Sequence, residues 1–210
     1  MAVSRTTPYG LKEVADVYFF PVGTTIEISS SYDSTLYGGY ISASTDPNFI
    51  FDTLKVSNIE VASEDTSATG GKGNPELISW SYGKEITFTM TDAVFSMATL
   101  DLLFGANNTV DDPTTDPVVI DSDSFPGNYL IVGLTYMRSQ ADGKDYPFVF
   151  QIPNAKINVN GTLTMEADGD PTTFELTIKA LKAAGSKELV RFQRINATST
   201  ASSHASNNVQ

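Results

Sequence analysis

The feature that most constrains the fold is a series of short runs in which apolar and polar residues alternate. In one of them Ile86, Phe88 and Met90 are apolar, and the two residues between them are threonines. A period of two places successive side chains on opposite faces of a β-strand, so such a run forms a strand with one buried face. The other β-rich runs cover residues 16–30, 51–63, 129–138, 146–152, 155–167, 172–181 and 188–195. The sequence therefore predicts a chain that is mostly β.

Short turns separate several of these runs and favour antiparallel pairing. The segments "ADGKD" (141–145) and "ADGDP" (167–171) have the composition of turns that close hairpins. One helix is predicted at about 92–104, with Thr91-Asp92 supplying an N-cap and a first-turn acid and Gly105 as its C-terminal cap. The expected fold is two packed antiparallel sheets, as a sandwich or barrel, with this flanking helix and extended arms.

The 210-residue length suits one sizeable domain. We predict a single β domain over residues 1–195, which includes an N-terminal arm and an acidic, proline-broken insertion at 106–128. Residues 196–210, rich in Ser and Asn, have no hydrophobic periodicity and are predicted to be a disordered tail.

The residue types needed for most catalytic and metal sites are missing from the sequence or isolated in it. The chain has no cysteine, and its one histidine, His204, lies in the predicted tail. A disulfide framework, a thiolate nucleophile and a histidine-based triad or zinc site are therefore excluded. No apolar run approaches the ~18 residues of a membrane span, and the N-terminus has no signal-peptide pattern. We expect no enzyme activity, no cofactor, no metal and no membrane contact.

A glycine-rich loop at 63–75 raises the question of phosphate binding. Its tip reads Gly70-Gly71-Lys72-Gly73, but a phosphate loop needs Ser or Thr after the lysine and a helix that begins there. Here Asn74 and Pro75 follow, and then a strand. The loop is instead predicted to be a flexible tip that touches another protein. Its candidate contact residues are Thr69, Gly70, Gly71, Lys72, Gly73 and Asn74.

Charge is unevenly distributed along a chain whose net charge is −12. Residues 179–210 carry five basic residues and one acidic residue, whereas the rest of the chain is strongly acidic. Either the basic end is an ordinary solvated surface, or it meets the acidic body of another copy. Under the second interpretation, and because the predicted helix has a surplus apolar face, the candidate subunit-interface residues are Phe95, Leu102, Phe104, Lys179, Lys182, Arg191 and Arg194.

The order of these features resembles the major tail protein, the tail tube subunit, of tailed bacteriophages. The resemblance spans roughly residues 50–182. It is carried by the loop tip "GGKGNPEL", by "ISWSYGKEITFTMTDAVFSMATLDLLFG" and most specifically by "FQIPNAKINVNGTLTMEADGDPTTFELTIKAL". The 106–128 insertion and the tail are not matched.

This resemblance implies a non-enzymatic virion protein that forms stacked, hexameric rings. The rings enclose a channel through which DNA passes without specific binding, and an acidic body would give that channel negative charge. A long loop, here residues 63–75, reaches the neighbouring ring. The implied partners are other copies of the chain and the tail-terminator, baseplate or tip, and tape-measure proteins. The implied location is the virion tail, after assembly in the host cytoplasm.

One alternative remains open, a different virion or surface β-module that binds carbohydrate. Exposed aromatic side chains around Tyr32, Tyr37 and Tyr40 would favour it.

Overall fold

The computed structural model describes residues 8–11, 16–92, 105, 119–120, 122–123, 125–158 and 174–196. Within them it forms eleven strands. The strands are β1 (Tyr9–Leu11), β2 (Asp16–Pro21), β3 (Ile26–Ile28), β4 (Ile41–Ala43), β5 (Phe49–Phe51), β6 (Leu54–Thr69), β7 (Glu76–Asp92), β8 (Asn128–Ser139), β9 (Asp145–Asn158), β10 (Phe174–Ala180) and β11 (Arg191–Arg194). The prediction of a mostly β chain is confirmed.

Nine of the strands form one sheet. Seven of them are hydrogen-bonded side by side in the order β5-β2-β8-β9-β10-β7-β6. The other two are short, and of these β1 pairs with β8 and β11 pairs with β9. All of these pairs are antiparallel. The second sheet is the antiparallel pair β3-β4. The "ADGKD" turn joins β8 to β9 as predicted.

Both faces of β2 are buried, and this explains its continuous apolar sequence. Val17 and Phe19 point to one face and Tyr18 and Phe20 to the other, and all four have at most 6% of their surface exposed. Such a strand reads as an unbroken hydrophobic run because each face packs against a separate layer. The large sheet therefore has two cores, one on each side.

The first core forms because the large sheet curls over on itself. β7 and β9 are not hydrogen-bonded to each other, yet the rings of Phe88 and Phe150 lie 5.2 Å apart between centroids. Ile86 and Met90 of β7 and Ile178 of β10 belong to the same buried cluster. The alternating run that predicted a half-buried strand thus supplies one wall of this core.

The second core lies on the opposite face, beneath the small sheet. Tyr40 and Ile41 are buried there against Val132 and Val149 of the large sheet. The small sheet and the loop that joins its strands cover this face.

The predicted flanking helix is wrong, since the described residues contain no helix. Asp92, expected in the first turn of this helix, is the last residue of β7, opposite Leu54 on β6 and Phe174 on β10. Its carboxylate Oδ1 accepts a 2.6 Å hydrogen bond from the Thr53 hydroxyl, and only 3% of the residue is exposed. Strand pairing thus continues through Thr91 and Asp92, where the helix was expected to begin. Residues 93–104 lie outside the described residues.

Two other boundaries differ from the predictions. The runs 146–152 and 155–167 were expected to be separate strands, but Asp145–Asn158 is one continuous strand that crosses Pro153. The loop expected at 63–75 is shorter, because pairing between β6 and β7 continues to Thr69 and Glu76. The "ADGDP" turn and most of the 106–128 insertion lie outside the described residues, as do residues 197–210.

Candidate functional site

The most prominent surface feature is a hairpin arm, which we define as residues 62–84 of β6, β7 and their connection. Cross-strand pairing runs along its length, with Asp65 opposite Ser81, Ser67 opposite Ser79 and Thr69 opposite Glu76. Every residue of the arm is exposed except Gly70, which is half-buried. At about 3.4 Å per residue, eight residues of strand carry the arm roughly 25 Å. The arm contributes nothing to either core.

The predicted contact residues occupy the tip of this arm. Gly71, Gly73 and Asn74 have positive φ values of 84°, 92° and 50°, so the turn needs residues that tolerate the left-handed region. The Gly70 amide donates to the Pro75 carbonyl at 3.1 Å, and the Asn74 amide donates to the Gly71 carbonyl at 3.1 Å. The tip is a compact turn between two strands, so the helix that a phosphate loop requires does not follow it.

One face of the arm carries an apolar stripe, Ile78, Trp80 and Tyr82. Residues two apart on a strand share a face, and these three are 54%, 52% and 53% exposed. The opposite face carries Ser79 and Ser81, and Leu77, 64% exposed, is unpaired at the register shift beside the tip. Exposure of three large apolar side chains in a row is unusual for a soluble protein and is typical of a contact surface.

A second apolar surface is a groove beside the first core, with a volume of about 580 Å³. It lies between the outer edge of β6 and the strands β1, β8, β9 and β11. Phe88 and Phe150 of the first core are at its floor, and Leu11, 70% exposed, and Phe192, 48% exposed, stand on its rim. The groove is lined by Tyr9, Leu11, Ser57, Asn58, Ile59, Val61, Phe88, Thr135, Met137, Phe148, Phe150 and Phe192.

Arg194 lies against Tyr9, one of the residues that line this groove. Its guanidinium carbon lies 5.2 Å from the ring centroid of Tyr9 and 5.1 Å from that of Tyr146, and the group donates hydrogen bonds to the Tyr9 hydroxyl and to Asn196. The Tyr146 hydroxyl in turn donates a 2.6 Å hydrogen bond to Asp142, which lowers the pKa of that carboxyl to about 2. Arg194 thus holds β1, β11 and the start of β9 together.

The other predicted basic interface residues are not gathered into one patch. Lys179 on β10 pairs with Glu85 of β7 at 2.8 Å. Arg191 makes two hydrogen bonds to Glu188, at 2.7 and 2.8 Å, and these raise the pKa of its guanidinium. Lys182 is exposed, and its carbonyl accepts a hydrogen bond from Asn154. The predicted residues Phe95, Leu102 and Phe104 lie outside the described residues.

The side of β7 and β10 that faces away from the first core is a polar sheet face. The sequence did not lead us to predict a site there. The side chains between the buried ones point there, so Thr87, Thr89 and Thr91 of β7 share this face with Glu175, Thr177 and Lys179 of β10. The alternation that predicted β7 already contained this signal, since its polar members are all threonines. We call this surface the threonine face.

The tyrosine cluster of the carbohydrate hypothesis packs mainly against itself and the second core. Tyr40 is only 2% exposed, and Tyr37 packs against Tyr18 and Phe20 at 5.7 and 5.8 Å between centroids. Of the three tyrosines only Tyr32, 65% exposed, presents most of its surface. A single exposed ring is a poor platform for a sugar.

The described ranges contain no group of three or more residues able to hold a metal ion. Nor does any helix within them have the length and apolar character to cross a membrane.

Comparison with known proteins then identifies the family. The model of the YomU/Tube protein family matches residues 28–107 and 107–195, most of the chain. The chain belongs to the YomU/Tube protein family. This match confirms the resemblance to phage tail tube proteins, and the chain is a structural protein of the tail tube type.

Two further comparisons concern individual proteins. No curated protein matches this tube protein in sequence. Among solved structures, it is similar to a chain of the PVC sheath-tube complex in its extended state, from an extracellular contractile injection system. The sequence identity is 10% and the TM-score 0.45, over 92% of this chain and 95% of that one.

Proposed function

We propose that this tube protein self-assembles into stacked rings, hexameric as in the tail tubes it resembles, and that the stack is the conduit for DNA ejection. Membership in the YomU/Tube protein family over most of the chain is the observation that carries this proposal. A structural role also accords with a fold whose conspicuous features are surfaces and not a cleft lined by acids and bases.

The hairpin arm is the element that we propose to reach the next ring. It projects roughly 25 Å and is exposed over nearly its whole length, so it is available to a neighbour without disturbing either core. The tip residues Thr69 to Asn74 remain the proposed contact points, with Lys72 as the charged one. Residues Lys179, Lys182, Arg191 and Arg194, with Phe95, Leu102 and Phe104, remain proposed contributors to contacts between copies.

The threonine face is the surface that we propose to line the channel. It is a polar face on strands whose other face is buried, so it can form the wall of a water-filled conduit. Among its described residues, Lys179 pairs with Glu85, Glu175 adds a negative charge, and the threonines are neutral. DNA would therefore meet hydroxyl groups and find few cations to hold its phosphates.

By the same resemblance, the proposed partners are the tail-terminator, the baseplate or tip and the tape-measure proteins. The proposed place of the protein is the virion tail, after assembly in the host cytoplasm.

Shortening the arm tests the proposal. Residues 66–80 are replaced by Asn-Gly, which joins the paired residues Asp65 and Ser81 through a two-residue hairpin turn. Because the removed residues belong to neither core, we expect a circular dichroism spectrum that is still typical of a folded β protein and a melting temperature within a few degrees of the original. In sedimentation velocity we expect the loss of species larger than a single ring.

The matched control is Tyr32→Ser, which removes an exposed aromatic side chain away from the arm and should leave assembly intact. Normal assembly of the shortened chain would contradict the role of the arm.

A further inference from the structure

The hairpin arm and the apolar groove have complementary surfaces within one chain. The stripe of Ile78, Trp80 and Tyr82 has no cover, and the groove beside the first core has no occupant within the described residues. A volume of 580 Å³ equals that of on the order of 20 water molecules, at about 30 Å³ each. Water against Phe88, Phe150 and the rim residues is unfavourable, as is water against the stripe, so both surfaces gain from the same contact.

The charges at the ends of the two surfaces are also complementary. Glu64 on β6 lies directly opposite Tyr82 and shares its face, so the stripe has a carboxylate at the end nearest the body of the protein. Arg194 lies against Tyr9, which lines the groove, and its described hydrogen bonds go to the neutral oxygens of Tyr9 and Asn196. A carboxylate that approached this guanidinium would form a charge-assisted contact at the rim.

The arm cannot easily reach the groove of its own chain. β6 lines the groove at Ser57 to Val61 and then continues into the arm, where its pairing with β7 runs on to the tip. A paired hairpin that leaves the groove in this way carries the stripe away from it. The occupant that fits is therefore the arm of another copy.

We propose that the stripe Ile78–Trp80–Tyr82 of one copy docks in the groove of a second copy, with Arg194 facing a carboxylate of the arm. The contact is heterologous, since one patch meets a different patch, and repetition of such contacts extends an assembly without an end. This inference rests on the proposed function and names the surface that receives the arm.

Cross-linking tests the inference cleanly because the chain has no cysteine of its own. Thr66→Cys, which lies directly opposite Trp80, and Asn58→Cys, which lines the groove, keep all the apolar residues of the proposed contact. The two variants are prepared separately, one of them with a size tag, then mixed at a concentration where the unmodified chain assembles and oxidised mildly. Both sites are exposed, so both variants should fold, and circular dichroism checks this. Docking raises the effective concentration of the two thiols, so we expect at least ~10-fold more mixed dimer than from Thr66→Cys with Tyr32→Cys.

Three results would overturn the inference. One is a mixed dimer no more abundant than in the control pair. Another is preferential cross-linking of Thr66→Cys to itself, which would mean that two stripes meet each other. A third is a disulfide within one chain when both substitutions are combined and the protein is diluted, which would place the arm in its own groove. If the unmodified chain assembles while any of these is seen, the proposed function stands and only the docking surface is wrong. If the unmodified chain never assembles, the proposed function and the proposed docking surface are both contradicted.

Discussion

At the scale of single residues, packing of the first core depends on a glycine. A Cβ on Gly133 of β8 would lie 2.1 and 2.2 Å from ring atoms of Phe150, the same ring that meets Phe88 across the curled sheet. The close approach of β8 to this ring explains why no larger residue fits.

We therefore expect Gly133→Ala to lower the free energy of unfolding by about 1–3 kcal/mol, the usual cost of overpacking a core. Urea denaturation measures this. The control is Gly127→Ala, where a Cβ meets nothing within 4 Å and φ lies outside the left-handed region, so the change should stay within about 0.5 kcal/mol. Equal effects of the two substitutions would show that the Phe150 contact is not tight.

Tyr18 gives a prediction for alkaline pH. Burial in the second core, with a smaller contribution from the charge of Asp16, raises the pKa of its hydroxyl from 10.0 to about 12. The folded state thus holds this proton more tightly than the unfolded state. The resulting stability is fully present below about pH 10 and is lost as pH rises through about 12.

Tyr18→Phe removes this titration. Between pH 10 and 12 we expect the variant to lose about 2–3 kcal/mol less unfolding free energy than the original chain, since each pKa unit is worth about 1.4 kcal/mol. Urea denaturation at a series of pH values measures the slope. Parallel slopes for the two proteins would contradict the assignment.

At the scale of elements, the sequence predicted what local periodicity determines. Ile86, Phe88 and Met90 alternate with threonines, and they form the buried face of β7 as expected. The helix prediction depended instead on Thr91-Asp92 as an N-cap and a first-turn acid, but both residues extend β7 by pairing with β6 and β10. The Asp92 carboxylate accepts a hydrogen bond from Thr53, which is 39 residues away in sequence. Partners so distant in sequence are not visible in a local capping pattern.

The strands of the hairpin arm also could not be predicted from local sequence. Its strands contain Glu64, Asp65 and Ser67, residues of low or modest β-propensity that read as a loop. They form a strand because β7 pairs with them residue by residue. Which residues pair is set by the register of the two strands, and the register is seen only in the folded chain. The tip at Gly70 to Asn74 was placed correctly because glycine and asparagine mark turns directly.

At the scale of the whole molecule, the groove could not be predicted. Its rim joins Leu11 near one end of the chain to Phe192 near the other, with Ile59 of β6 between them. Such a surface arises only from the order of strands in the sheet. Arg194 was predicted as an interface residue from its charge alone, and its position against Tyr9 and Tyr146 became visible only in the folded chain.

The arm, the groove and the threonine face lie on different parts of one subunit. In our account they have separate roles, since the arm and groove join copies and the threonine face borders the channel. A chain with these three surfaces should form an assembly that is open along its axis and of uniform width.

Electron microscopy of the purified protein, concentrated stepwise at near-physiological salt, tests this central claim most directly. We predict rings or hollow tubes of uniform width, with a stain-filled channel in end views. Monomers at every concentration, or solid aggregates without a channel, would contradict it.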